Sequence, residues 1–251
     1  MKNRKIKILS ALVLSLCFFA ALPVFAESES PQTEADSQAY TDNTLSDIQQ
    51  DAAPESTYAK GTSTENGFQS EWLNLQFTPP AYMVMSSEEE LQSIIQYGQN
   101  TLQQTTPTDE NTALPETVYE MMAASSAGFP NVSVVVETSP QESSTPDQYF
   151  TALKQLLDAT QLGYQYEETV TDTAIAGQDF RVLTASLTMN SYQVFQKYCT
   201  RKQGDKFVSI ILSYTEDTAA QADEVLASFT ALHTPESPEG STDNAENQVT
   251  Q

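Results

Sequence analysis

The chain has 251 residues, of which 34 are acidic, 11 are basic and one is histidine, so its formal net charge is −23. A surface this acidic repels nucleic acid phosphates and anionic lipid, which argues against nucleic acid as a partner. One histidine and two cysteines without ligand spacing also argue against a zinc or iron centre. We therefore expect neither a metal nor a cofactor.

The first 26 residues, MKNRKIKILSALVLSLCFFAALPVFA, have a basic start, an apolar run and a small-residue end. This order predicts a secretory signal that is cleaved after Ala26, with no stable membrane insertion afterwards. Cleavage would remove four basic residues and move the net charge from −23 to −27. It would also remove Cys17, leaving Cys199 without an intramolecular disulfide partner. Lipid attachment at Cys17 is the alternative, but Leu16 stands where a small residue is expected.

Two segments have compositions that cannot form a packed core. Residues 27–66 and 233–251 are rich in Ser, Thr, Glu, Asp and Gln and show no sustained apolar periodicity. Such segments bury too little apolar area to offset the entropy of ordering them, so we predict a disordered linker and a disordered tail. The remaining stretch, 67–232, is long enough for one domain.

In chain order, GFQSEWLNLQFTPP predicts a first extended segment, of one strand or two, that ends at Pro79 and Pro80. SSEEELQSIIQYGQN predicts a helix with acidic residues in its first turn and a buried stripe of Leu91, Ile94, Ile95 and Tyr97. TVYEMMAASS and VSVVVE follow as two strands, the second rich in β-branched residues.

The second half of the domain begins with STPDQYFTALKQLLDATQLG, which predicts a helix capped by Thr145 with Pro146 at its first position. YQYEETVT, DFRVLTASLTM, YQVFQKYCT and KFVSIILSYT then predict four strands joined by tight turns, in an antiparallel meander. DTAAQADEVLASFTAL predicts a last helix whose buried face is formed by Ala222, Val225, Leu226 and Phe229.

This order of elements predicts an α+β domain in which helices flank an antiparallel sheet. The order, the motif SEWLNLQFTPP leading into SEEELQSI, and YCTRKQGDKFVSIILSYTED before the last helix resemble the PsbP/Mog1-like α-β-α sandwich of small exported proteins of Gram-positive bacteria. The resemblance covers roughly Gly67 to Leu232. It implies a fold and a tendency to act as an adaptor or binding module, and it transfers no functional residue.

Few residues are candidates for catalysis. A serine or cysteine nucleophile needs a base, and the single histidine, His233, lies where the domain gives way to the tail. The sequence leaves open a carboxylate pair drawn from Glu120, Glu137, Glu167 and Glu168. We interpret the acidic run that begins at Glu88 as a helix start, and the glycan-acceptor pattern Asn-Val-Ser at residue 131 as chance.

The stretch QKYCTRKQGDKF has Gly204 at a turn between strand formers, so it predicts a hairpin tip. It gathers Lys197, Arg201, Lys202 and Lys206 near one end of a sheet. These cations either balance nearby carboxylates or bind an anionic wall polymer or an acidic protein segment. Cys199 is either a small buried residue or a reactive thiol, and the alternation does not decide between them.

The sequence as a whole favours a non-catalytic binding or adaptor module at or near the cell envelope, with the four basic residues as its binding site. The partner is then an envelope or extracellular protein or an anionic polymer. The alternatives are a carboxylate-dependent hydrolase acting on an extracellular polysaccharide or peptide, and a protein that shields another secreted component.

Overall fold

The structure is a computed structural model that describes residues 57–105, 117–139, 143–189 and 192–233, with the backbone alone over 97–105. It contains a large antiparallel sheet with helices on both faces, so the α+β prediction is confirmed. The predicted leader, most of the predicted linker and residues 234–251 lie outside the described residues.

The elements follow in chain order, with three helices among twelve strands in the described part of the chain. The helices are α1 (Glu88–Thr105), α2 (Pro146–Ala159) and α3 (Ala219–Ala227). The strands are β1 (Thr62–Thr64), β2 (Gly67–Ser70), β3 (Leu75–Phe77), β4 (Met83–Met85), β5 (Thr117–Ser125), β6 (Asn131–Thr138), β7 (Gln165–Tyr166), β8 (Thr171–Ile175), β9 (Gln178–Met189), β10 (Tyr192–Gln203), β11 (Lys206–Thr215) and β12 (Phe229–Thr230).

The strands form two antiparallel sheets. The large sheet has the order β4-β5-β6-β11-β10-β9-β7, and β8 also pairs with β9. The small sheet has the order β1-β2-β3-β12. One face of the large sheet packs against α1 and α2, and the other face packs against the small sheet and α3. We call these the helical face and the small-sheet face.

The helices begin where the sequence predicts. Thr145 and Gln148 form a reciprocal capping box, in which the Gln148 N–H donates to Thr145 Oγ1 at 3.3 Å, and Pro146 occupies the first turn. Ser87 and Glu90 cap α1 in the same way. Leu153 and Leu157 of α2 are fully buried against the helical face. Of the predicted stripe on α1, the Tyr97 side chain lies outside the described residues.

The first extended segment, predicted as one strand or two, is two strands, because the chain turns back in its middle. β2 ends at Ser70 and β3 begins at Leu75, with Asn74 at φ +47° and its N–H donating to Glu71 O at 3.1 Å. In one continuous strand Phe68 and Phe77 would point to opposite faces, whereas the reversal pairs them and buries both. We call residues 71–74 the clasp turn.

Three other boundaries also differ from prediction. The folded part begins before Gly67, since β1 pairs with β2 and Tyr58 contacts the core. The stretch YQYEETVT contributes β7 and the first residue of β8 rather than one strand. The last helix ends at Ala227, because Phe229 leaves it to pair with Phe77 in β3, where its side chain is still buried. Long-range pairing outweighs helix propensity at this point.

Candidate functional site

The basic hairpin is formed by β10 and β11, as predicted. Gln203 pairs with Lys206 across a two-residue connection in which Gly204 has φ +58°, a backbone conformation that glycine adopts without strain. The strands run antiparallel from Val194 to this tip. The tip therefore stands at one end of the large sheet.

The four basic residues do not form one patch. Lys197 and Arg201 lie on the small-sheet face with Cys199, as the alternation of a strand requires. Lys206 is on the same face, where its Nζ donates to Thr138 Oγ1 at 3.1 Å and lies 5.2 Å from the Tyr58 ring centre. Lys202 lies on the helical face, with its Nζ 6.0 Å from the ring centre of Phe207.

Lys197 already has a carboxylate partner. Its Nζ lies 3.2 Å from Asp223 Oδ1 of α3 and 5.5 Å from the ring centre of Tyr214. The pair joins the middle of β10 to α3. For this residue the structure favours a contact within the protein.

Arg201 supports the clasp turn. Its Nη2 donates to Leu73 O at 3.3 Å, and the guanidinium carbon lies 5.5 Å from the Phe180 ring centre. Its Nε is buried without a hydrogen bond to any described residue. Burial lowers the pKa of Arg201 to about 10, which leaves the guanidinium charged at neutral pH.

Two glutamines hold the same turn. Gln203 Nε2 donates to Trp72 O at 2.6 Å, and Gln178 Nε2 donates to Leu73 O and Asn74 O, each at 3.1 Å. The base of the hairpin tip and the clasp turn therefore form one hydrogen-bonded unit.

Cys199 is a buried residue and not an accessible thiol. It is 1% exposed and packs in the apolar core of the small-sheet face. Burial raises the pKa of the thiol to about 12, although Lys197 lowers it in part. At neutral pH the side chain is a protonated thiol, which is a poor nucleophile.

The four glutamates considered for hydrolysis do not meet. Glu120 is buried at a β-bulge and accepts from Tyr58 Oη and from the Gly61 N–H, each at 2.7 Å. Burial raises the pKa of this carboxyl, and the two hydrogen bonds and Lys60 lower it in part.

The other three glutamates lie elsewhere. Glu137 is buried on the opposite, helical face and accepts from Tyr149 Oη at 2.6 Å. Glu167 and Glu168 are exposed beyond β7. The Asn131 side chain is also buried, with Nδ2 donating to Gly128 O at 3.0 Å, so the folded chain does not present it as a glycan acceptor.

His233 docks the end of the described chain onto the clasp turn. Its Nε2 lies 2.6 Å from Glu71 Oε2, and its N–H donates to Asn74 Oδ1 at 2.7 Å. The imidazole is exposed, and neither Cys199 nor a buried glutamate contacts it. This arrangement contains no nucleophile for His233 to activate.

Two concave surfaces were not predicted from the sequence. An apolar groove of about 390 Å³ opens at the far end of β10, about 35 Å along the strand from the hairpin tip. It is lined by Ala127, Phe129, Met189, Tyr192, Val194, Thr215, Asp217 and Thr218. Three separate chain segments build it, so no local pattern could have indicated it.

The second concave surface, of about 240 Å³, lies on the small sheet. It is lined by Thr62, Thr64, Asn66, Gly67, Phe68, Gln69, Gln76, Phe77 and Thr78. Neither surface contains a pair of carboxylates.

The described residues offer neither a metal site nor a membrane-spanning helix. These residues contain no group of three or more His, Cys, Asp or Glu side chains placed to hold a metal ion. Within the same part of the chain, none of the helices combines the length and apolarity that a membrane span requires.

No family model and no curated protein matches the chain. Among solved structures it is similar to cyanobacterial PsbP (CyanoP) from Synechocystis sp. PCC 6803. The two sequences are 16% identical, the match covers 70% of this chain and 98% of that chain, and the TM-score is 0.39. It is also similar to LpqN of Mycobacterium tuberculosis, described as involved in cell envelope biogenesis, with 12% identity, 62% and 82% covered, and a TM-score of 0.30. A third structure is PA94 of Pseudomonas aeruginosa, a protein of unknown function described as a putative regulator, with 12% identity, 47% and 81% covered, and a TM-score of 0.29. The predicted resemblance to PsbP is met at the level of the fold alone, and these similarities carry no information about what this chain binds.

Proposed function

We propose that this protein is an exported binding or adaptor module that acts at or near the cell envelope without catalysis. One observation carries the proposal: among the described residues, the groups that the sequence offered for catalysis do not converge on either concave surface. Glu120 and Glu137 lie on opposite faces of one sheet, Cys199 is buried, and His233 contacts only the clasp turn in the described structure.

The chemistry of hydrolysis requires two carboxylates in one cleft. An acid and a base must face each other across a cleft that holds the substrate, with room for the sugar ring or a water molecule. The two buried carboxylates instead accept hydrogen bonds from tyrosine and backbone donors, and neither lines either of the two concave surfaces described above. This geometry favours binding over the alternative of a carboxylate-dependent hydrolase.

The predicted binding site at the basic hairpin is retained as part of the proposal. Arg201 and Lys206 form no ion pair with a carboxylate of the described residues, although the protein is strongly acidic. An acidic protein segment or an anionic polymer can therefore approach the tip at Lys206 on the small-sheet face and at Lys202 on the helical face, while Lys197 and Arg201 keep their contacts within the protein. Export rests on the leader pattern at residues 1–26.

The test is capture of partners from an envelope extract of the producing cell. Wild-type protein is compared with the double variant Lys202→Glu, Lys206→Glu, which leaves the structural contacts of Lys197 and Arg201 intact. The matched control is Lys60→Glu, Lys154→Glu, which changes the net charge equally at residues outside the basic hairpin. Circular dichroism checks that all three proteins are folded.

We expect wild type and control to retain a partner that the hairpin variant loses. Equal capture by all three proteins would show that the hairpin is not the binding site, but it would still support the function as a binding module. Absence of any partner, together with hydrolysis of an extracellular polysaccharide or peptide by wild type, would overturn the proposal in favour of the hydrolase.

A further inference from the structure

The outer face of the small sheet carries a row of uncharged polar side chains. The register places Thr62 opposite Gln69, Gln69 opposite Gln76, and Gln76 opposite Thr230. Four neighbouring strands thus contribute one residue each. With strands about 4.8 Å apart, the row is about 14 Å long.

This row is the outer counterpart of a buried aromatic row. Phe68, Phe77 and Phe229 are paired in the adjacent register positions and are at most 3% exposed. Because side chains alternate between the faces of a strand, burying the phenylalanines turns the glutamines outward. The aromatic core therefore fixes the orientation of the polar row.

The side chains of the polar row have unused hydrogen-bonding capacity. Gln69, Gln76, Thr62 and Thr230 form no side-chain hydrogen bond to any described residue. Each glutamine amide offers two N–H donors and one carbonyl acceptor, and each threonine hydroxyl can both donate and accept. The row presents donors and acceptors side by side.

The charge of this surface differs from that of the rest of the molecule. The concave surface of about 240 Å³ beside the row includes Asn66 and Thr78 and is lined by no ionisable side chain, although the whole chain has 34 acidic residues. The lining contains no carboxylate to pair with or coordinate a cation at this surface, and an anion is repelled by the acidic surroundings. The complementary ligand is neutral and rich in hydroxyl groups.

We propose that the outer face of the small sheet binds a neutral glycan chain, with Gln69 and Gln76 as the central contacts. Adjacent hydroxyls of a sugar pair with the donor and acceptor of one amide, and the strand row allows this to repeat along a short oligosaccharide. This inference rests on the proposed function as a binding module, but it uses a surface separate from the basic hairpin.

The test titrates maltohexaose, cellohexaose and penta-N-acetylchitopentaose separately into protein purified after export, by isothermal calorimetry and by amide chemical-shift changes. Polygalacturonate serves as the anionic comparison. The variant is Gln69→Ala, Gln76→Ala. The matched control is Gln165→Ala, Gln193→Ala, which removes two exposed strand glutamines outside the row.

We expect at least one neutral oligosaccharide to bind in preference to polygalacturonate, with shifts centred on the small sheet. The variant should reduce the affinity at least about tenfold, and the control should not, because two sets of amide hydrogen bonds are lost only in the variant. Circular dichroism and urea unfolding separate loss of binding from loss of folding.

Three results would overturn this inference. One is no binding of any neutral probe at millimolar concentration, the second is equal binding by variant and wild type, and the third is self-association of the protein through this face in sedimentation. Partner capture from the envelope extract remains a separate readout. If capture succeeds while the oligosaccharides fail, the glycan face is wrong and the binding module stands.

Discussion

Glu120 allows a quantitative prediction, because its buried carboxyl group accepts hydrogen bonds from two donors. Tyr58 Oη and the Gly61 N–H each lie 2.7 Å from one of its oxygens. Glu120→Ala leaves both donors without an acceptor. Each fully buried donor left unsatisfied lowers the free energy of unfolding by about 1–3 kcal/mol. Tyr58 and Gly61 are only half-buried, so water compensates in part and we expect a total loss of about 2 kcal/mol.

Glu120→Gln isolates the charge from the hydrogen bonds. The glutamine keeps one acceptor oxygen, so in acid it should cost about 1 kcal/mol. Burial raises the folded pKa of Glu120 above its ordinary value of 4.5. The wild-type carboxyl therefore contributes stability that is fully present below pH 4.5 and is lost as the pH rises through the folded pKa. Glutamine has no such loss, so its cost should shrink towards neutral pH.

The assay is urea unfolding followed by fluorescence of Trp72, the only tryptophan, whose ring lies 5.1 Å from that of Tyr58. Measurements at about pH 3.5 and about pH 7 avoid the sequence isoelectric point near 4.1. Glu168→Gln, which removes the same charge at an exposed position, is the control and should show no such change with pH. A cost of Glu120→Gln that is constant or grows between acid and neutral pH would refute the reasoning.

Three further outcomes are expected. Tyr149→Phe removes the donor at 2.6 Å from Glu137 Oε2 and should cost about 1–3 kcal/mol in urea unfolding, whereas Tyr192→Phe, at an exposed position, should change nothing. Leu153→Ala, at a fully buried position of α2, should cost about 2–5 kcal/mol in the same assay. Cys199 should react with a thiol reagent slowly in the native state and completely in urea, and fast native labelling would contradict its burial.

Local chemistry made much of the fold predictable. The caps at Ser87 and Thr145 need only neighbouring residues, and the long strands β5, β6 and β9–β11 have β-branched or alternating apolar residues along most of their length. The clasp turn and the exit of Phe229 into β12 depend on pairing between distant segments. No nearby residue signals that pairing, which is why both were missed.

The candidate site was less predictable. A basic residue in a strand gives the same sequence pattern whether it binds a partner or stabilises the fold. Alternation along β10 alone places Lys202 on the face opposite Lys197 and Arg201, whereas the face of Lys206 follows from the register between β10 and β11. The contacts of Arg201 with Leu73 and of Lys197 with Asp223 come from elements far away in sequence. Their roles could only be distinguished after folding had brought these elements together.

The clasp turn links the hairpin to the proposed glycan face. In one continuous strand, Gln69 and Gln76 would be seven positions apart and would point to opposite faces. The reversal at residues 71–74 places them side by side, and Arg201 donates to the carbonyl of that turn. Arg201 can therefore contribute to recognition without touching a ligand, by holding the turn that aligns the two glutamines. Arg201, whose Nε is buried, then serves the surface of the small sheet rather than a surface of its own.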